Sequence, residues 1–500
     1  MNKIIKNLLY GFGAELLLLP MSIILPRIIL LSFGSEVNGL TATITQIFTY
    51  IALLEAGIGN ASRNCLYKNI ACEDRTGIST TVCATRKYFR RIVPVYAACV
   101  VLFAVVYPLA VDTEVPARTI RLIILIQGLS GVINFSFTNT YTQLLVSDGR
   151  SYVSSNLNLM VKAVSFALQI LLIGLGFNII CVQLSLLVAY ILNAILIYRY
   201  VKREYPWLTK VPDADIGILS QRNAFVIHEI STVIFQSTDV FIISAFCSLK
   251  EASVYSIYYM VFSTLSRISG VLFRGIDFKL GAQYHRDLNE YTRMHDLYET
   301  LIICFEFSLI SAAFVVVLPF VRLYTDGVTD INYIMPVLPV LFSLNQMLSS
   351  GRGVASKLIT ISGGAKDTIK NTVTETVINL TTSLILVNIV GMPGVLLGTT
   401  AALLYRTNDM LWYANRKVLG RKPWQAYKTL LMNLALFALV VVFTFKCPLL
   451  ITNYLQFFLK GALTLAVTLT VYAGVNVITD SNLRNFCLQT GKRVIKKISR

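Results

Sequence analysis

Long apolar runs recur along the whole chain, and they constrain its fold more than any other feature. A helix needs about 20 mostly apolar residues to cross the hydrocarbon core, where its backbone groups must be satisfied within the helix. The chain therefore reads as an all-α integral membrane protein with about fourteen transmembrane helices. The predicted spans are 8–31, 39–60, 92–111, 119–147, 153–176, 179–198, 223–246, 253–276, 300–322, 333–361, 370–389, 393–413, 429–447 and 454–478.

The composition agrees with a protein that lies in a bilayer. The chain is 55% hydrophobic and 14% charged, whereas a soluble domain carries about 25% charged residues. The net charge of +18 does not indicate a nucleic-acid partner, because the basic residues lie in short connections between apolar runs. The first run lacks a convincing signal-peptide cleavage site, so we expect it to be kept as the first helix.

The distribution of Lys and Arg predicts the orientation. Basic residues concentrate in every second connection, and such connections face the cytoplasm. Both termini are therefore expected in the cytoplasm, in a multi-pass protein of the bacterial inner membrane. The predicted inner connections include 61–91, 199–222, 277–299, 414–428 and the tail from 479, and the predicted outer ones include Ser32–Asn38, Asp112–Arg118 and Thr325–Asn332.

An internal repeat is predicted from a shift of 215 residues, which places helices 1–6 on helices 7–12. The turn at Ser147 then falls on the turn at Ser362. Two pseudo-symmetric six-helix lobes followed by two C-terminal helices are expected, as in many transporters. The predicted divisions are 1–200 for the N-lobe, 201–222 for a cytoplasmic linker, 223–418 for the C-lobe, 419–480 for helices 13 and 14, and 481–500 for a basic cytoplasmic tail.

Sequence motifs for enzymatic chemistry are missing. There is no G-x-x-x-x-G-K-[ST] loop, no H-E-x-x-H and no outer connection long enough for a catalytic domain. The nine cysteines have no paired spacing, and His228, His285 and His295 do not form a metal-ligand pattern. We therefore expect a secondary transporter or flippase, not an enzyme, without a cofactor or a metal site.

Ionisable residues within the predicted spans are the candidates for function. Each costs at least about 2.5–3.5 kcal/mol at the bilayer centre, so such residues usually face a protein interior or a wet cavity. Basic side chains from both lobes are expected to form a cationic, water-filled groove, which suits a phosphate or pyrophosphate. The substrate-binding candidates are Arg27, Arg267, Arg274, Arg352 and Lys357. The ion-coupling candidates are Glu55, Asp239 and Glu229, because a buried carboxylate can take up a proton or hold sodium.

Structural roles for these charges remain open. Arg274 and Lys357 have positions from which a long side chain can extend to the membrane interface. Arg27 can pair with a neighbouring acid and serve packing alone. Glu55 and Asp239 can equally belong to ion pairs, and Glu229 to a polar pair with His228.

Three stretches resemble the Wzx-type polysaccharide and O-antigen flippases of the multidrug/oligosaccharidyl-lipid/polysaccharide exporter superfamily. The first is Gly34-Ser35-Glu36-Val37-Asn38-Gly39-Leu40 with Leu53-Leu54-Glu55-Ala56-Gly57-Ile58-Gly59 and Leu66-Tyr67-Lys68. The second is Arg86-Lys87-Tyr88-Phe89-Arg90-Arg91. The third is Gly363-Gly364-Ala365-Lys366 with Glu375, Asn379-Leu380, Gly391-Met392-Pro393-Gly394-Val395 and Gly398-Thr399.

The resemblance implies a function that composition does not show. Such proteins flip a polyprenyl-pyrophosphate-linked oligosaccharide between leaflets for surface polysaccharide synthesis, by ion-coupled alternating access. The implied partners are the lipid-linked anionic oligosaccharide, membrane lipid, and a polymerase or glycosyltransferases of the same pathway, with H⁺ or Na⁺ as the coupling ion. Two alternatives remain: a multidrug or cation exporter of the same fold, for which acidic cavity residues are expected, and a membrane polysaccharide polymerase.

Overall fold

The computed structural model describes residues 3–52, 58–209, 211, 214–219, 238–284, 286–362, 364 and 367–488, and the side chains of all of these except 3–12, 14–16, 60, 71 and 270–282. Throughout this described part the regular structure is helical and contains no β-strand. Nine of the described helices are long and apolar enough to cross a membrane. The prediction of an all-α membrane protein is confirmed. The chain divides into two compact units, Met1–Ser253 and Val254–Arg500.

The first unit is built mainly of long helices. They are α1 (Lys3–Ile51), α2 (Ile58–Ala71), α3 (Arg75–Ala110), α4 (Ala117–Ser147), α5 (Ser151–Gly174), α6 (Ile179–Glu204), the described helix 238–246, called α7, and the start of α8 (Leu249–Tyr284). Their apolar faces meet in an aromatic core in which the Tyr96 and Phe135 ring centroids lie 4.9 Å apart, edge to face. Gly131 makes this packing possible, because a Cβ there would lie 2.0 Å from the Tyr96 hydroxyl oxygen.

The second unit continues α8 and adds the remaining helices. They are α9 (Leu288–Tyr324), α10, which is interrupted at Arg352 (Val337–Gly351 and Gly353–Ile361), α11 (Ile369–Val390), α12 (Met392–Tyr413), α13 (Trp424–Lys446), α14 (Tyr454–Thr479) and the short helix 481–488, called α15. In α13 and α14, Phe443 and Phe458 are both 68% exposed. Large apolar side chains that are exposed on a helix face can contact lipid.

Two predicted connections are helical. The expected outer connection Ser32–Asn38 lies inside α1, where Gly34 alone departs from helical geometry with φ +83°. The expected inner connection 61–91 is occupied by α2 and the first turns of α3, with a three-residue turn between them. Hydropathy misses these helices because it reports only the apolar part of a helix. The start of α3 is fixed by Asp74, whose carboxylate accepts a hydrogen bond from the Gly77 N–H at 2.9 Å.

The secondary structure repeats with the predicted shift. Moving by 215 residues carries the first residues of α3, α5 and α6 to within three residues of the starts of α9, α11 and α12. The irregularities repeat as well: α4 contains a π-helical turn at Asn134–Thr138, and the shift carries Phe137 of this turn onto Arg352, where α10 is interrupted. Three helix starts and one helix irregularity therefore repeat between the units.

Candidate functional site

A close helix pair in the second unit positions the charged residues of the candidate site. The turn between α11 and α12 is a single residue, Gly391, with φ +67°, a conformation that glycine adopts without strain. Along α12, a Cβ on Gly398 would lie 2.2 Å from the Ser383 Oγ, and one on Gly394 2.3 Å from the Leu386 carbonyl oxygen. The absence of these two side chains lets α11 and α12 pack backbone to backbone.

A buried ion network joins α10, α11 and α12. Glu375 accepts a hydrogen bond from the Arg352 guanidinium at 2.5 Å, and its other oxygen lies 3.5 Å from the Arg406 Nε. Arg406 also pairs with Asp409, one turn further along α12, and donates to the Thr372 hydroxyl at 2.8 Å. Arg406 is 2% exposed and Glu375 5% exposed. Charges this deeply buried need partners, and here each has at least one.

A second pair of embedded charges belongs to α9 and α10. Lys357 donates a hydrogen bond to the Tyr298 hydroxyl at 3.1 Å, and its ammonium lies 5.4 Å from the centre of that ring. Glu306 faces Ser269, Ser350 and the positive charge of Lys357. Among the described residues named here, the second unit thus places three acidic and three basic side chains on α9, α10, α11 and α12.

Uncharged polar side chains continue the site along α11 and α12. The Thr400 hydroxyl donates to Asn345 Oδ1 at 2.6 Å, and Asn379 Nδ2 donates to the Thr399 hydroxyl at 2.9 Å. The Asn379 Oδ1 is buried and accepts no hydrogen bond from the part of the chain that the structure describes. A polar stripe therefore runs from the ion network toward the Gly391 turn.

In the first unit, the predicted coupling residue Asp239 is buried at 7% exposure in α7. It follows Thr238, whose hydroxyl forms a short hydrogen bond with the Tyr50 hydroxyl of α1. Arg27 is half-buried in α1. Glu55 and Glu229 lie outside the described residues.

The substrate candidates of the second unit occupy different environments. Arg267 and Arg274 lie on one continuous helix, α8, where Arg267 is exposed and the Arg274 side chain lies outside the described part. Arg352 is in the ion network, and Lys357 contacts Tyr298. The assignment of all these residues to substrate binding or ion coupling stays a prediction. The sequence analysis did not identify Asp409, although its spacing of three residues from Arg406 on one helix permits a pair.

The first stretch that resembles the flippases, residues 34–40, surrounds the non-helical residue Gly34 in α1. Glu36, two residues after Gly34, accepts hydrogen bonds from the Thr113 hydroxyl at 2.6 Å and from the Glu114 N–H at 2.9 Å. Lys250 lies 3.7 Å from the same carboxylate. The motif therefore fixes the bend of α1 against the α3–α4 connection.

The turn between α4 and α5 carries an ion cluster outside the spans. Arg150 pairs with Asp148 at 2.7 Å and with Glu204, and the Tyr205 hydroxyl donates to Asp148 at 2.7 Å. Burial disfavours the charged guanidinium, but these partners outweigh burial and raise the pKa of Arg150 above its usual value. Burial and the bond to Asp148 raise the pKa of Tyr205 as well. The cluster ties the end of α6 to the turn before α5.

Comparison with solved structures identifies proteins of the same fold. The lipid II flippase MurJ in an inward closed conformation superposes with a TM-score of 0.68 over 94% of this chain and 98% of that chain, at 12% identity. An inward-facing MATE multidrug-resistance transporter of the MOP superfamily gives 0.61 over 87% and 98%, at 15% identity. An outward-facing conformation of a MATE transporter of that superfamily gives 0.55 over 85% and 96%, at 14% identity.

No family description and no curated protein matches the sequence itself. At identities this low, structural similarity establishes the fold alone. The chain is a multi-pass membrane protein with the fold of the MOP-superfamily transporters. The fold expected from the sequence motifs is confirmed, whereas membership of the superfamily and of its Wzx-type branch remains a prediction.

Proposed function

We propose that this protein flips a polyprenyl-pyrophosphate-linked oligosaccharide across a membrane and is a transporter, not an enzyme. The observation that carries the proposal is the buried ion network of Arg352, Glu375 and Arg406 on α10, α11 and α12. Two arginines held there can recognise a pyrophosphate through paired N–H donors. The fold shared with a lipid II flippase over 94% of the chain supports a lipid-linked substrate.

Arg352 is the residue of the network best suited to exchange partners. Its side chain is 15% exposed, whereas that of Arg406 is 2% exposed. A pyrophosphate that reaches Arg352 replaces Glu375 as its partner. Glu375 then keeps only Arg406, at 3.5 Å, as its charged partner, and a proton or a sodium ion can take the place of Arg352. Substrate binding and ion uptake are thereby coupled through one carboxylate, in addition to the proposed roles of Glu55 and Asp239.

The remaining site residues and the location complete the proposal. Arg27 and Arg267 assist in holding the pyrophosphate, with Arg274 and Lys357 as further basic contacts. The protein works in the bacterial inner membrane with both termini in the cytoplasm, next to the polymerase or glycosyltransferases of a surface polysaccharide pathway. The basic connections of the sequence support this orientation.

The test measures the sidedness of the lipid-linked oligosaccharide in cells that lack the protein. An impermeant sugar-modifying reagent should fail to reach the lipid-linked unit from outside, and wild-type protein should restore access. Arg352→Gln should lower the restored rate at least about tenfold, the worth of one charged hydrogen bond. Lys446→Gln, an exposed basic residue at the end of α13, is the matched control and should restore it fully.

Two results would overturn the proposal. If the lipid-linked unit reaches the outer leaflet without the protein while cells lose efflux of cationic dyes, the protein is an exporter. If single repeat units appear outside and only their polymerisation stops, it belongs to the polymerase step.

A further inference from the structure

A second cluster of buried titratable side chains lies outside the ion network, near the start of α9. It consists of His295, Asp296 and Glu299, here called the α9 cluster. Their exposures are 1%, 9% and 2%. Residues 295 and 299 are four apart and so share one face of the helix, with Asp296 beside them.

The α9 cluster contains polar atoms that the described part of the protein leaves unsatisfied. Neither ring nitrogen of His295 forms a hydrogen bond there, and neither does the Glu299 Oε1. Buried polar atoms are nearly always hydrogen-bonded, so three such atoms in one place require an explanation. Asp296 differs, because the Arg421 guanidinium donates to both of its oxygens, at 2.7 and 2.5 Å.

The spacing of these atoms fits a single ion. One ligand atom from each of the three residues lies within 4.8 Å of the others, and His295 Nδ1 is 3.6 Å from Asp296 Oδ1. Ligand atoms about 2.1 Å from a tetrahedral zinc ion lie about 3.4 Å apart. Side-chain shifts of about 1.5 Å therefore complete the coordination.

The charges also favour a cation. Arg421 offsets one of the two carboxylates, and the other remains buried next to a neutral or protonated imidazole. A divalent ion accepts lone pairs from one His295 ring nitrogen and from Glu299 Oε1 at once, which satisfies two of the three unpaired atoms and offsets the charge. An imidazole ligand favours transition metals over Na⁺, Mg²⁺ or Ca²⁺.

We propose that the α9 cluster binds one divalent transition-metal ion of the zinc class through His295, Asp296 and Glu299. Arg421 is a positioning residue that holds the Asp296 carboxylate toward the ion, as outer partners of metal ligands commonly do. All three ligands lie on α9, and Arg421, in the connection before α13, reaches the site through Asp296. The ligand Glu299 is followed by Thr300. The Thr300 hydroxyl donates a hydrogen bond of 2.8 Å to the carboxylate of Asp480, the residue just before α15. The site does not depend on the proposed function.

The sequence analysis predicts no metal site because it considers only spacing between histidines. A single histidine followed by two carboxylates on one helix turn is common on solvated helices. The burial that makes the group informative appears only in the structure.

The test measures metal bound to the full chain, purified in detergent with an affinity tag that contains no histidine. The exposed thiols are first removed by Cys72→Ser, Cys447→Ser and Cys487→Ser, since free cysteines bind metal nonspecifically. The protein is stripped with a chelator and dialysed against Zn²⁺, or against Co²⁺ for its visible absorption. We expect one equivalent by elemental mass spectrometry and a Co²⁺ spectrum with nitrogen and oxygen ligands.

The variants decide whether the α9 cluster holds this metal. His295→Ala and Glu299→Gln should each lose the equivalent, whereas Glu290→Gln, an exposed acid in the first turn of α9, should keep it. Wild-type protein should also gain thermal stability on adding Zn²⁺, which checks the site even if a ligand variant fails to fold. No stoichiometric metal and no stabilisation in the parent protein, or full metal content in folded His295→Ala, overturns the proposal.

Discussion

The ion network makes a quantitative prediction for Glu375→Gln. The substitution keeps the size of the side chain but removes the negative charge between Arg352 and Arg406. Breaking a buried ion pair by removing one partner costs about 3–5 kcal/mol. Arg406 retains Asp409 and Thr372, and Arg352 is 15% exposed. We therefore expect a loss at the lower limit, about 3 kcal/mol, or about a 100-fold fall in the ratio of folded to unfolded protein.

The measurement is the free energy of unfolding in mild detergent or bicelles, with reversible unfolding by a denaturing detergent. A second variant, Glu375→Gln with Arg352→Gln, leaves no uncompensated charge at that position. Its loss should be about 1–2 kcal/mol smaller than the sum of the losses of the two single variants, because the coupling between contacting residues has that size. Glu114→Gln, whose side chain is 86% exposed, is the control and should stay within about 0.5 kcal/mol of wild type.

The reasoning fails if Glu375→Gln is as stable as the Glu114→Gln control. It fails equally if the double variant shows the sum of two independent losses, since Arg352 and Glu375 would then not contact each other.

Two further substitutions test the packing of the second unit. Asn433→Leu in α13 should cost about 1–3 kcal/mol, because it removes the Asn433 Nδ2 that donates to the buried Asn476 Oδ1 at 3.1 Å, while the Asn476 Nδ2 keeps the Tyr472 carbonyl. Adding Asn476→Leu should recover most of this loss in the same unfolding measurement. Gly398→Ala should cost about 1–3 kcal/mol by forcing α11 and α12 apart near Ser383. Gly461→Ala, where nothing lies within 4 Å of the added Cβ, is its control and should leave the unfolding free energy unchanged or raise it.

The sequence predicts the apolar part of each span well. The predicted spans 370–389 and 454–478 match α11 and α14 to within one residue at each end. These ends are marked by local chemistry, the glycine at 391 and the capping side chain of Asn453, which accepts a hydrogen bond from the Gln456 N–H at 2.9 Å. By contrast, α3 begins 17 residues before the predicted 92, because its first turns are polar.

For the candidate site, the sequence identifies charges but not their partners. Arg352 and Glu375 stand out because each lies in an apolar run, yet 23 residues separate them along the chain. Their pairing depends on how α10 packs against α11, which no local pattern encodes. The sequence does not single out Asp409, because it follows the apolar part of α12, where charged residues are common.

The single-residue turn at Gly391 has a consequence for biosynthesis. A ribosome delivers α11 and α12 to the membrane one after the other, and the charges of Glu375 and Arg406 each cost about 2.5–3.5 kcal/mol if they enter lipid alone. Because no loop separates the two helices, they can leave the insertion channel together as a hairpin. The two charges then neutralise each other during entry. Lengthening the turn should therefore impair insertion even where the finished protein could accommodate the added residues.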